Sequence, residues 1–298
     1  MKIARLQVDG EGTYGLVTSE GVLTKAQLER QLQASLPERM EEFGTRLLSE
    51  PGYRDRVDAV LQKEPSRTAA LPVAKVKFLA PLATRPKVIC IGLNYRDHAQ
   101  EQGVPPPREP LIFLKPHTAV TGPYDVVEYP SITTQLDYEG ELGVVIGRKC
   151  RRVDVAEAQS CVVGYTVVND ISARDLQFRD GQWARGKSFD TFAPVGPWIL
   201  TKDEVPDPQV LAITTWVNGE VRQESNTGNM IFGVAQLIAF VSAVMTLEPG
   251  DILATGTPAG VGIFTKPVPK LLHVGDVVEV EIAQIGRLRN QIVVAPPG

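Results

Sequence analysis

Glu139, Glu141 and Asp170, followed by Lys187, are the residues of this 298-residue chain whose types and spacing point most directly to chemistry. Glu139 and Glu141 are two apart in a run that reads as a strand, so their side chains share a face. Leu142, Val144 and Ile146 then take the opposite face, toward a core. Asp170 ends a second apolar run that starts at Cys161. Three carboxylates drawn together by two strands repel one another unless a cation lies between them. Oxygen-only ligation suits a hard divalent ion, Mg²⁺ or Mn²⁺, with water or substrate completing its shell. A metal enzyme is the leading reading.

The elements that must position these residues change character along the chain. Residues 1 to about 15 read as a strand, and 14–23 as a hairpin. The charged, periodic stretch 25–50 predicts a helix ending near Pro51, with a second helix over about 53–63. Prolines between Pro65 and Pro86 place a boundary near residue 78, which makes 1–78 a small α+β lobe and 79–298 a second domain. From Lys87 onward, short Val- and Ile-rich runs alternate with Gly and Pro turns. Strands are expected over 87–92, 111–115, 139–147, 161–169, 197–201, 210–217, 251–255 and 276–282, and helices over 172–179 and 231–245. The fold class is α+β and β-rich, not a doubly wound sheet.

Bulk properties narrow the function classes. A net charge of −4 and a pI near 5.6 argue against nucleic acid as a partner. Cys90, Cys150 and Cys161 are an odd count with no close pair in sequence, which fits buried thiols in a reducing compartment. The N-terminus lacks the apolar stretch of a signal peptide. The apolar run 230–245 is short for a bilayer and contains Gly233, Gln236 and Ser242, so it reads as a buried helix and not a span. These features predict a cytoplasmic protein without a membrane partner.

Other polar residues sit in local patterns that allow two readings each. His98 and Glu101 are three apart and share a face if helical. They are either an acid–base dyad, with Glu101 orienting the imidazole, or an exposed pair before a loop. The prolines of 102–110 make a hinge after them. Arg174 and Gln177 share the face of a helix beginning near Ser172, as carboxylate ligands or as a solvated surface. The turn from Gly256 to Gly262 lacks the Gly-Lys-Ser/Thr ending of a phosphate loop. It presents Thr257 and backbone amides to a carboxylate, or simply joins two strands. Lys115 is a weaker candidate for a pocket wall, and His117 and His273 are structural or exposed.

Taken in order, these patterns resemble the fumarylacetoacetate hydrolase superfamily, in particular its small two-lobe, domain-containing-protein-2-like members. The motifs around His98, Phe113 to Pro116, Glu139 and Glu141, Asn169 to Gln177, Lys187 and Thr257 carry the resemblance across about residues 80–298. The resemblance implies a mixed β-sandwich roll, generally dimeric, with a small N-terminal α+β lobe. It implies a divalent metal, generally Mg²⁺, on Glu139, Glu141 and Asp170. An upstream aspartate ligand found in the larger eukaryotic hydrolases has no convincing match here. His98 and Glu101 match a dyad on a mobile lid, Lys187 the lysine beside the metal, and Arg174, Gln177 and Thr257 the substrate-binding positions.

The implied substrate is a small 2-oxo or β-diketo acid, such as an acylpyruvate or oxaloacetate, handled through an enolate that Lys187 would help stabilise. Hydrolytic or decarboxylative C–C cleavage is expected first. Isomerisation or tautomerisation of a 2-hydroxy-dienoate or of oxaloacetate, as in 5-carboxymethyl-2-hydroxymuconate isomerases, is the second reading. A non-catalytic metabolite-binding or scaffold protein is the alternative of another class.

Overall fold

The computed structural model describes residues 1–63, 69–82, 85–179 and 181–296. Part of the proline-rich 65–86 stretch therefore lies outside the described residues. The chain opens with the strands β1 (Lys2–Val8), β2 (Glu11–Val17) and β3 (Val22–Thr24), an antiparallel meander. The helices α1 (Lys25–Leu32), α2 (Met40–Ser49) and α3 (Tyr53–Leu61) and the short strand β4 (Lys77–Leu79) follow. The single helix expected over 25–50 is two helices. Gln33 closes α1 in the left-handed region, at φ 52°, and Pro37 cannot continue the ladder. Thr24 starts α1 with a capping box, accepting from the Gln27 amide while the Gln27 side chain accepts from its own.

The remaining elements are β5 (Val88–Gly92), α4 (Arg96–Gln102), β6 (Leu111–Lys115), β7 (Val120–Thr121), β8 (Val127–Tyr129), β9 (Leu136–Asp137), β10 (Gly140–Ile146), α5 (Val155–Ala158), β11 (Val162–Asn169), β12 (Ser172–Ala173), α6 (Arg174–Arg179), α7 (Ala184–Lys187), β13 (Ala193–Thr201), β14 (Ala212–Val217), β15 (Glu220–Asn226), α8 (Val234–Val244), β16 (Ile252–Ala254), β17 (Val277–Ile282) and β18 (Gly286–Val294). A large sheet runs in the order β3-β2-β1-β13-β11-β10-β16-β5-β6, with β4 beside β1 and β7 beside β13. A five-stranded sheet runs β15-β14-β17-β18-β8, and β9 pairs with β12. The chain is thus β-rich α+β. The N-terminal lobe adds its meander to the large sheet through antiparallel β1–β13 pairing, Ile3 opposite Ile199.

The centre of the large sheet is covered on both faces. One face of β10 and β11 contributes Leu142, Val144, Ile146, Tyr165 and Val167 to a cluster with Ile213, Val280, Ile282 and Leu288 of the smaller sheet and Leu237 and Val241 of α8. The other face packs Val145, Val163 and Val168 against Leu28, Phe43, Leu47 and Val57 of α1–α3. All seven residues of β10 are therefore buried, not only the three assigned to a core by alternation. Each fully buried Val, Leu or Ile side chain contributes about 1.5–3 kcal/mol, so this double cover makes β10 and β11 a rigid platform for the acids at their ends.

Two long strands, β15 and β18, escape the sequence pattern, as do the short β7, β8, β9 and β12. In β18, Arg287, Arg289 and Gln291 face out between Leu288, Asn290 and Ile292, so its charge density hides a regular alternation. In β15 only Gln223 is fully buried. Cys150 and Cys161, eleven residues apart, both lie where β10 hands over to β11, near enough that Cys161 raises the Cys150 thiol further above the value burial sets. Among the described residues no helix is long and apolar enough to cross a membrane, and the 230–245 run forms α8, which buries one face through Val234, Leu237, Ile238 and Val241 and leaves Val244 65% exposed.

Candidate active site

The β10–β11 register sets Gly140 opposite Asn169. That carries Glu139 and Asp170 to adjoining strand ends, and the Asp170 amide donates to the Glu139 carbonyl at 2.8 Å. Glu139, Glu141 and Asp170 each offer an oxygen lying within 4.8 Å of the others, and all three side chains are buried. Buried cations crowd around them. The Lys187 ammonium lies 2.9 Å from Glu139 Oε2 and 2.9 Å from Asp170 Oδ2. Lys115 holds the other Asp170 oxygen and donates to the Ile171 carbonyl at 3.0 Å. Arg174 reaches Glu139 Oε1 at 2.5 Å and Asp137 Oδ2 at 2.8 Å.

Asp137 is fully buried and also accepts the Gly262 amide at 2.8 Å and the Ile263 amide at 3.0 Å. The cluster therefore contains four acids and three cations. Glu141 is the acid left over: it accepts the Gly256 amide at 2.8 Å and has no cation partner among the described residues.

Electrostatics follow that imbalance. Burial pushes the Glu139 carboxyl up, but the Lys187 and Arg174 charges outweigh it and hold the group well below the usual carboxylate range. At Glu141, burial is reinforced by Asp170 and Glu139, and the carboxyl is driven well up. Burial pulls Lys187 down, yet Asp170 and Glu139 raise it above its ordinary value. Lys115 falls, because burial exceeds the help from Asp170. Three hard oxygen donors, one of them a carboxyl with no cationic side chain to stabilise its charge, fit a hard divalent cation.

Lys187 reaches this cluster because α7 packs directly on α6. A Cβ at Gly186 would lie 2.6 Å from the Gln177 amide nitrogen and 2.7 Å from the Ala173 carbonyl. Arg174 and Gln177 share one face of α6, with the guanidinium donating to the Gln177 side chain at 3.0 Å. The helix starts at Arg174, since Ser172 and Ala173 pair as β12 with β9. Arg174 Nη2 is buried without a protein partner, which leaves one guanidinium edge for a ligand. Arg174→Met is expected to cost about 3–5 kcal/mol of stability, because Asp137 and Glu139 stay buried without it. Urea unfolding measures this, and an unchanged midpoint and slope would refute the bracing role.

His98 and Glu101 lie on α4, which the left-handed Gly103 terminates. His98 Nδ1 is 3.0 Å from Glu101 Oε2, and Glu101 Oε1 accepts the Gly260 amide at 2.9 Å. The helix is clamped down: Asp97 accepts from Ser225 Oγ at 2.6 Å and Arg96 donates to the Met230 carbonyl at 2.6 Å. His98 is only 5% exposed, so the segment expected as a mobile lid is seen closed.

Beneath it lies a cavity of about 90 Å³ whose polar wall includes His98, Glu139, Arg174, Gln177, Lys187 and Thr257. Its apolar lining includes Phe113, Phe178, Trp183 and Phe264. A larger depression of about 760 Å³ lies where the N-terminal lobe meets the sheet, and none of Glu139, Glu141 and Asp170 lines it.

The sequence-predicted residues thus converge, with one adjustment. Thr257 borders the cavity, but its hydroxyl donates to the Gly140 carbonyl at 2.9 Å and accepts from Gln223 Nε2 at 2.8 Å. It is occupied in fastening the Glu139–Glu141 segment. His117 and His273 are exposed, as expected. Sequence reasoning passed over Asp137, although it continues the same-face alternation of Glu139 and Glu141. It underweighted Lys115, and it missed Gln223, which holds the Gly140 amide at 2.9 Å and carries no motif.

This site lies within residues 87–293, which match the family model for the fumarylacetoacetate (FAA) hydrolase C-terminal domain. The chain is 49% identical to the rat oxaloacetate tautomerase Fahd2a, mitochondrial, over 75% of this chain and 71% of that one. Two solved structures align along almost its whole length. Fumarylacetoacetate hydrolase from Exiguobacterium antarcticum is 37% identical at a TM-score of 0.82, covering 99% of this chain and 100% of that one. The 2-hydroxyhepta-2,4-diene-1,7-dioate isomerase from Mycobacterium marinum is 35% identical at 0.75, covering 100% of both. With acids, lysines and dyad assembled on this scaffold, the chain belongs to the fumarylacetoacetate hydrolase family.

Proposed function

We propose that this chain is a divalent-cation-dependent tautomerase of a small 2-oxo acid, with Glu139, Glu141 and Asp170 as the protein ligands of Mg²⁺ or Mn²⁺. The observation that carries the reading is that Glu139, one member of an undercompensated carboxylate triad, and His98, paired with Glu101, line one small cavity together with Arg174 and Lys187. A bound cation supplies Lewis-acid stabilisation of the enolate charge. The chain's own groups do the rest. Arg174 and Gln177 orient the substrate carboxylate. His98 takes a proton from the carbon beside the keto group and returns one to the enolate oxygen. Glu101 stabilises the imidazolium between the two transfers, and Lys187 balances the oxyanion. The substrate gains and loses one proton, so no water is consumed.

Tautomerisation moves ahead of the C–C cleavage expected first from the sequence. The relatives named as an oxaloacetate tautomerase and a dienedioate isomerase favour it. With Mg²⁺ present, the enol absorbance of oxaloacetate is expected to decay faster than in metal alone, without pyruvate or CO₂. Pyruvate and CO₂ appearing at the rate of enol loss would establish decarboxylation instead.

Inhibitors probe the mode of binding. Oxalate presents adjacent oxygens in the plane of an enolate and should compete with substrate, while acetate should inhibit far less. Equal inhibition by the two would remove the chelating pose.

A further inference from the structure

We propose that Gln102 is a positioning residue that sets the tautomer and proton affinity of His98, a role that rests on His98 being the proton-transfer group. Gln102 ends α4 and lies four residues after His98, on the same helix face. Its side-chain Nε2 is 2.7 Å from His98 Nε2, and it lines the same cavity. An amide nitrogen only donates. The Glu101 carboxylate only accepts, so Nδ1 carries a proton toward Oε2 at 3.0 Å, and the Gln102 amide nitrogen then faces the Nε2 lone pair. This places the proton on Nδ1 and the lone pair on Nε2, where Gln102 covers it until the amide turns aside for proton transfer.

The same side chain can serve the other half of the cycle. Once His98 is protonated, Nε2 becomes a donor, and a half-turn of the amide presents the Gln102 oxygen to it. A carboxamide is the side chain that can answer both states. A carboxylate would favour only the imidazolium, and an apolar side chain neither.

The other charged groups around the imidazole are Glu101 on its own helix and Glu139, Arg174 and Lys187 around the cavity, with the Phe264 ring at 6.0 Å, while Asp97 accepts from the His98 backbone amide and Ser225 Oγ. Phe264 is neutral, and Arg174 and Lys187 are already engaged by carboxylates. With chelator present throughout, so that Glu139 holds no cation, a change at Gln102 is read at His98 against a constant background.

The chain has three histidines, so nitrogen-15 and proton NMR of the full-length protein can follow each ring, with His98→Asn assigning the signal. The wild-type ring is expected as the Nδ1–H tautomer. Gln102→Glu should raise the His98 midpoint by about one pH unit or more, as a nearby carboxylate does. The acid limb of kcat/KM should move with it, while KM stays close to wild type. Gln102→Met, which removes the donor without adding charge, should raise the midpoint by less.

An Nε2–H tautomer in the wild type, or wild-type midpoints in both variants, would overturn the assignment. The titration needs no substrate. A protein that turned over no 2-oxo acid would sink the proposed function and leave this result readable. Unchanged titration with turnover intact would sink only the role of Gln102.

Discussion

Glu141→Gln is expected to abolish divalent-cation binding while leaving the cation-free protein as stable as wild type or more so. Most buried carboxylates would not behave this way. Asp170 and Glu139 are each held by two cationic side chains, and removing either strands buried charge, at a cost of about 3–5 kcal/mol. Glu141 has no such partner. It lies buried beside two other carboxylates, and among the described residues its hydrogen bond comes from the Gly256 amide. A glutamine oxygen can keep that bond while the amide nitrogen donates to a neighbouring acid. Repulsion is relieved, but the charge that a hard cation needs is gone. Calorimetric titration with Mg²⁺ and Mn²⁺, beside thermal melts in chelator, reads both halves. Wild-type affinity in Glu141→Gln would end the metal assignment. Asp170→Asn should also lose the ion, but with a lower melting temperature, since Lys115 and Lys187 both depend on that carboxylate.

His98→Ala should lower turnover by roughly a hundredfold or more, the usual loss for an acid–base group, with cation affinity nearly unchanged. The fold should tolerate it. The helix is fastened by Asp97 to Ser225, by Arg96 to the Met230 carbonyl and by Glu101 to the Gly260 amide, and none of these contacts involves the imidazole. Steady-state rates with oxaloacetate, beside a melting curve, separate chemistry from folding. Wild-type turnover in a well-folded His98→Ala protein would remove the imidazole from the mechanism.

Much of the site was legible before any coordinates. Residues two apart on a strand share a face, and residues three apart on a helix do too. Those local periods sufficed to pair Glu139 with Glu141, His98 with Glu101 and Arg174 with Gln177. Asp170 could be marked as the end of a strand, but its meeting with Glu139 is a matter of β10–β11 register, which many distant contacts set together. The order of chemistry was not legible, because cleavage and tautomerisation draw on the same enolate and the same residue types.

The sequence by itself determined the β-rich class, the acid triad as a candidate hard-cation site and the family resemblance, because these rest on local pattern and residue type. Only the tertiary structure decided how charge is shared. Four acids meet three cations, Glu141 is the one without a partner, and Lys115 and Asp137 belong to the cluster. It also showed Thr257 fastened to the Gly140 carbonyl, Gln102 against the imidazole, and Cys150 beside Cys161. Each of these is a contact between side chains whose positions depend on the packing of separate elements. Residue type states what a group can donate or accept, and the fold decides which partner it meets.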